Sequence, residues 1–234
     1  MFRWLNVVAA LFCLACLQVL GSDEPADVYV PPEDFPVGWY ARIETGEGRI
    51  VARLLPDQAP QSVAHFAGLA EGTLEWFDVV TGDPVRERYY DGSSVALSMA
   101  GRRFEVGERS GSGKQAPVIY VPPEVGGRVN FSGAYRLGMT RLGNRVSGVR
   151  FFVSASSQPQ LNMTHPCFGF VVEGQDVVDR LSGVKTHPSG RPIEALRVEQ
   201  VSVFTVGEPA PLEEPVPFWP KPARLELRKD KRRD

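Results

Sequence analysis

The chain has 234 residues, 43% of them hydrophobic, with 26 Lys and Arg against 28 Asp and Glu and a formal net charge of −2. That balance gives no overall pull towards nucleic acid or an anionic membrane, so any partner has to be argued from local features. The length allows one generous domain with a full core, and composition excludes neither an enzyme nor a binding module.

Residues 1–22, MFRWLNVVAALFCLACLQVLGS, carry one early arginine, then an apolar run, then the small residues Gly21 and Ser22. This is the layout of a secretory signal, which implies an exported protein, periplasmic or secreted. Two alternatives stay open: an uncleaved anchor, at the short end for spanning a bilayer, and lipidation at Cys16, where Leu14-Ala15-Cys16 loosely resembles a lipoprotein signal. Cys13 and Cys16 fall in this segment, so Cys167 is alone in the mature domain and has no internal disulfide partner. Beside Phe168 it reads as a small buried hydrophobe rather than a reactive thiol.

Residues 23–38 are rich in proline and acid and read as an extended linker. The fold is expected over 39–206. WYARIETGEGRIVARLL alternates about a Thr-Gly-Glu-Gly turn, a β-hairpin pattern with Ile43, Ile50, Ala52 and Leu54 as inward residues. PDQAPQSVAHFAGLAEG follows, with Pro60 early in a helical run, Val63, Phe66, Ala67 and Ala70 on one face, and Gly72 as the stop. YYDGSSVALSM alternates again and predicts Val95, Leu97 and Met99 on one side. RSGSGKQAPVIYVPPEVGG reads as a long loop. AYRLGMT, RFFVSAS and CFGFVV predict strands, GQDVVDRLSGV a second helix with Val177, Val178 and Leu181 for packing, and ALRVEQVSVFTV a last strand. Residues 207–234 read as a Pro-rich, basic, disordered tail. Many strands with two separated helices predict a mainly β fold, an antiparallel barrel closed at its ends.

Three histidines occur, His65, His165 and His187, none at a metal-like spacing from Cys, Asp or Glu. The chain carries no Gly-x-Ser-x-Gly elbow, and RSGSGK lacks the strand before and helix after it that a phosphate loop needs. Rotation about an X-Pro bond suits such absences. Its barrier of roughly 18–20 kcal/mol reflects lost amide resonance, and no covalent bond is made or broken. A catalyst needs an apolar pocket for the proline ring, a donor to the prolyl nitrogen as its lone pair localises, and a grip on the flanking peptide, all favouring the twisted amide.

GRIVARLLPDQAPQSVAHFAGLAEG, YYDGSS, IYVPPE, LGMTRLGNRVSGVRFF and CFGFVVEGQDVVDRLSGV, in this order, closely resemble the cyclophilin-type peptidyl-prolyl isomerases. The resemblance covers most of residues 39–206. It implies a closed, eight-stranded antiparallel β-barrel capped by two α-helices, working without cofactor, metal or ATP on proline-containing peptides or unfolded proteins. By the same resemblance Phe151 packs into the barrel while Phe152 floors a proline pocket, with Met139, Leu161 and His165 around it.

The resemblance breaks at several positions. Where the family has Phe-His-Arg, this chain has Val95-Ala96-Leu97, so Leu97 replaces the arginine that donates to the prolyl nitrogen. The family's Phe-Met-x-Gln corresponds to Arg102-Arg103-Phe104-Glu105, its Ala-Asn to Thr140-Arg141, its glutamine before the pocket Phe to Arg150, and its tryptophan to Gln160. Arginine is gained at the groove at Arg102, Arg141 and Arg150. Arg150, two residues from Phe152 on one strand, is the expected relocated donor. The expected enzyme is therefore slow, an exported isomerase and a monomer by default. A non-catalytic, basic peptide-binding module of the envelope is the rival, and a structural envelope protein tethered through its N-terminus the third reading.

Overall fold

The computed structural model describes residues 29–78, 83–108 and 119–216. The expected signal or anchor at 1–22, the RSGSGK run and the basic end of the tail lie outside the described residues. Among the described residues no helix is long and apolar enough to cross a membrane. Residues 29–35 form a short stretch with one turn, the Phe35 amide donating to Pro32 O at 3.1 Å. The main body begins at Pro36.

Its elements in order are β1 (Gly38–Thr45), β2 (Gly48–Leu54), α1 (Pro60–Glu71), β3 (Trp76–Phe77), β4 (Pro84–Val85), β5 (Ser94–Met99), β6 (Arg103–Glu108), β7 (Tyr120–Val121), β8 (Arg136–Leu142), β9 (Arg145–Ser154), β10 (Cys167–Glu173), α2 (Gln175–Gly183) and β11 (Val198–Val206). Eight strands follow one antiparallel path, β11-β1-β2-β10-β8-β9-β6-β5, with β7 paired to β9 and β3-β4 apart. The two ends of the path meet where Ser94 bridges Arg197. There Val95 N donates to Leu196 O at 3.0 Å and Val198 N to Ser93 O at 2.8 Å. Curling the sheet until its edges meet removes most of the unpaired backbone an open sheet would leave.

The β1–β2 hairpin turns where expected, and Ile43, Ile50, Ala52 and Leu54 are all buried in the barrel cluster. Helix α1 begins at Pro60, whose missing N–H costs nothing at a helix start. Its next amides are capped from a distance: Glu124 accepts from Gln61 N and Ser62 N, both at 2.8 Å, and from Ser62 Oγ at 2.7 Å. At the other end Gly72, with φ of 71°, takes the left-handed conformation that closes the helix on Gly68 O. Phe66 projects from α1 into an aromatic cluster, 5.2 Å from both Phe151 and Phe168 and 5.4 Å from Tyr90. Burying one such ring contributes about 1.5–3 kcal/mol. Helix α2 presents Val177, Val178 and Leu181, all buried.

Three expectations need correction. Val95, Leu97 and Met99 do not share a face, because register shifts at Ser94/Val95 and Val95/Leu97 break the alternation. Val95 joins the barrel cluster while Leu97 turns to the other side, half-buried against Gly190. The expected long loop holds a short strand, Tyr120–Val121, paired with Val146–Ser147. The start of the expected disordered tail, residues 207–216, is a strap bound to the body. Trp39 Nε1 donates to Ala210 O at 2.8 Å. Gln61 donates to Glu213 Oε2 at 2.9 Å and accepts from Val216 N at 2.9 Å, while His65 Nε2 lies 3.0 Å from Val216 O. Proline-rich sequence forms no ladder of its own, so these bonds come from side chains that periodicity does not single out.

Removing a charged acceptor from buried amides costs about 1.5–3 kcal/mol per bond lost. Glu124→Ala is therefore expected to lower unfolding stability by at least that amount, read as a lower urea midpoint, while Glu124→Gln, which keeps one acceptor oxygen, loses less. An unchanged midpoint in Glu124→Ala would show that water replaces the cap.

Candidate functional site

Successive side chains on β9 point to opposite faces. Phe151 enters the barrel, edge-on to Tyr90 at 5.2 Å. Phe152 emerges on the outer face, opposite Glu105 on β6 and Gly138 on β8. Leu97 on β5 in turn opposes Glu105, and Cys167 on β10 opposes Gly138. Leu97, Glu105, Phe152, Gly138 and Cys167 thus form one row across five neighbouring strands.

Phe152 is nevertheless 0% exposed. Phe131 stacks on it at 5.3 Å between centroids and 29° between planes. The Arg103 guanidinium lies 5.0 Å from the ring centre, and His165 meets it edge-on at 5.7 Å. Leu161 and Cys167 complete the cluster. The packing depends on Gly138, where an added Cβ would sit 2.4 Å from Phe152 Cζ and 2.6 Å from Phe131 Cζ. A cavity of about 300 Å³ opens beside Phe131, lined also by Gly127, Val129, Met163 and His165. Phe152 does not line it.

Two acids on β6 sort the arginines. Glu105 Oε1 accepts from Arg103 Nε at 3.1 Å and lies 3.0 Å from its Nη2. Glu108 holds Arg191 at 2.8 Å and Arg150 at 3.5 Å. The guanidinium set over Phe152 is therefore Arg103's, and the expectation that Arg150 supplies it is corrected: the nearly buried Glu108 carboxylate draws Arg150 away. Met139 is corrected too. Adjacent to Gly138 on β8, it points the opposite way, across from Phe151 and into the barrel cluster. Thr140 is buried beside a register shift, its Oγ1 without a hydrogen-bond partner among the described residues. Arg102 is exposed at the β5–β6 turn. Its carbonyl accepts from Ala155 N and Gln158 Nε2, each at 2.8 Å. Of the expected pocket residues, Leu161 and His165 are the two that meet Phe152.

His165 is neutral over the ordinary range. Burial, then the positive charges of Arg103 and Arg141, lower its pKa from 6.5 to about 4. Thr164 Oγ1 donates its one proton to Leu161 O at 2.8 Å, so at 2.9 Å it can only accept from His165 Nδ1–H, leaving Nε2 as an acceptor. Burial pushes the Cys167 thiol up to about 11, which leaves it inert as a nucleophile. Among the described residues no group of three His, Cys, Asp or Glu is placed to hold a metal ion.

Phe131 and Gly138 were not expected at the site, and Arg103 and Glu105 were expected only as departures from the family's pocket wall. The Arg103-Phe104-Glu105 alternation already set the two charges on one strand face. Phe131 lies in the irregular segment before β8, where no periodicity points to it.

The family model described as cyclophilin type peptidyl-prolyl cis-trans isomerase/CLD matches residues 40–203. Peptidyl-prolyl cis-trans isomerase B of Streptomyces anulatus is 34% identical over 169 residues, covering 71% of this chain and 97% of that protein. Peptidyl-prolyl cis-trans isomerase A of Mycobacterium tuberculosis is 29% identical over 165 residues, covering 70% of this chain and 91% of that protein. A crystal structure of a Cryptosporidium parvum cyclophilin type isomerase, obtained in the presence of the dipeptide Ala-Pro, superposes with a TM-score of 0.58 at 22% identity. It covers 70% of this chain and 98% of that one.

Gly138→Ala is expected to force one of the two rings aside and to cost about 1–3 kcal/mol of overpacking, measured as a lower melting temperature; a variant as stable as the wild type would mean that the rings reseat freely. A pH dependence also follows. The unfolded chain protonates this histidine near 6.5 and the folded one only near 4, so stability is full above 6.5 and falls as pH drops towards 4. His165→Gln should therefore unfold less steeply than the wild type between those pH values; equal slopes would exclude a depressed histidine.

Proposed function

The chain belongs to the cyclophilin-type peptidyl-prolyl cis-trans isomerases, and from that membership we propose that it accelerates X-Pro isomerisation in exported proteins, slowly, because Leu97 stands where the family carries its site arginine. The observation that carries this reading is the outward ring of Phe152, walled by Leu161 and a neutral His165 on a rigid sheet. A prolyl ring laid on Phe152 exchanges water for aromatic and aliphatic contact, and the flanking peptide can run over the Thr140–Arg141 irregularity beside His165. Phe152 is covered in the free protein, so substrate has to lift Arg103 from the ring. Lifting it strains the Arg103–Glu105 ion pair, whose side chains are 16% and 11% exposed, and gives up the cation–π contact with the ring.

Catalysis follows from differential binding of the twisted imide. As rotation proceeds, the prolyl nitrogen regains a lone pair, and a site that supports it lowers the barrier without proton transfer. Losing one preorganised donor costs about 2.7–4 kcal/mol of that lowering, the basis for expecting a slow enzyme. The apolar segment at 1–22 supports export with removal of the signal, and a membrane tether through the same segment is the alternative. Clients would be proline-containing peptides or unfolded secreted proteins, met by a monomer.

The rival reading, a module that holds peptides without turning them, draws on the same cover over Phe152 and on the arginines around it. Exchange spectroscopy on a proline-containing tetrapeptide separates the two. The proposal expects faster cis/trans exchange with substoichiometric wild-type protein and loss of that acceleration in Phe152→Ala. Shifts of the peptide resonances without faster exchange would replace the enzyme by the binding module.

A further inference from the structure

The geometry points to Arg103 as the catalytic donor to the prolyl nitrogen, delivered from β6 rather than from β5 or β9. This rests on the isomerase reading above and assigns its missing part. Three observations converge on it.

The guanidinium already stands over the floor of the pocket. It lies 5.0 Å from the centre of the ring on which a proline must sit. A planar guanidinium packs against an aromatic face with little penalty, so it can wait there in the free protein and slide to the imide edge when a proline takes its place.

The second observation is its anchor. Glu105, directly across from Phe152, engages the Nε and Nη2 side of the guanidinium through one carboxylate oxygen. The Nη1 donors are outside that ion pair. Glu105 is 8% exposed, so the contact that orients the guanidinium is shielded from water, which raises its value over that of a surface pair. Arg103 and Glu105 stand two residues apart on one strand face, so the pair keeps its relation to Phe152 through the backbone itself.

Third, the other candidates are placed worse: Arg141 acts on His165 less than Arg103 does. Leu97 brings no donor to its place in the row, and Arg150 and Arg191 are both drawn to Glu108. Arg102 is exposed at a turn. His165 presents an unprotonated Nε2, an acceptor, and its depressed pKa reflects in part the charge of Arg103 beside it. No bond is made or broken in the proposed step. One Nη1–H hydrogen bond to the prolyl nitrogen strengthens as the amide twists and its lone pair localises, then weakens as the new planar form leaves.

The test measures exchange of a proline tetrapeptide with wild type, Arg103→Ala, Arg103→Met, Arg103→Lys and, as a control, Arg145→Ala, whose guanidinium lies 4.9 Å over Tyr120. Arg103→Ala and Arg103→Met should each lose at least tenfold in kcat/KM, chiefly through kcat. Arg103→Lys, which returns a cation without the planar fork, should recover part of it, and Arg145→Ala should stay within twofold of wild type. Arg103→Met keeps bulk over Phe152, so it reports on the donor even if Arg103→Ala fails to fold. Wild-type activity that persists or rises in Arg103→Met would overturn the assignment alone, making Arg103 a plug over the pocket. Absence of acceleration by the wild type would overturn the isomerase reading and this assignment with it.

Discussion

The pleat of one strand governs this molecule. On β9 two identical side chains follow each other, and the backbone sends them to opposite worlds. Phe151 anchors the rings of Phe66, Tyr90 and Phe168 inside the barrel. Once it is seated there, Phe152 has only the outer face. A slip of one residue would exchange their places and also move every partner across β6 and β8, so the packing of the interior fixes the address of the site. Leu97, Glu105, Gly138 and Cys167 share that address because they are register neighbours, not because they are close in sequence.

Charge is arranged on that frame by two glutamates with almost no exposure. Glu105 and Glu108 on β6 are 8% and 5% exposed, and burying a carboxylate is costly unless cations accompany it. Each recruits its own: Arg103 for the first, Arg150 and Arg191 for the second. A surface that reads as merely basic is therefore partitioned, with one guanidinium over Phe152 and two others tied elsewhere. His165 takes its neutral state from the same environment. Its Nδ1 is held by Thr164, so the ring can present an acceptor without carrying charge.

The fold was largely legible in the sequence, because periods of two and of 3.6 residues survive wherever strands and helices bury a face. The hairpin at 38–54, the helix from Pro60 to Glu71 and its stop at Gly72 stand where the pattern placed them. Leu97 was misplaced because register shifts reset the period within β5, and no composition marks a bulge. At the site, adjacency on β8 decided against Met139, since the residue facing Phe152 is a glycine that contributes only space. That Arg150 does not reach the ring depended on Glu108 of the neighbouring strand, a relation between strands that one-dimensional spacing does not carry. The strap at 207–216 leaves no mark in the local sequence because its fixed points are Trp39, Gln61 and His65, more than 150 residues away in each case.

That separation orders the birth of the molecule. A chain emerging from the ribosome completes α1 early, yet the side chains of Gln61 and His65 wait for backbone made some 150 residues later, and β1 waits as long for its outer neighbour β11. The barrel therefore cannot close vectorially, piece by piece behind the exit tunnel. It closes once β11, residues 198–206, is free, and until then it shows an unpaired edge to whatever escorts it.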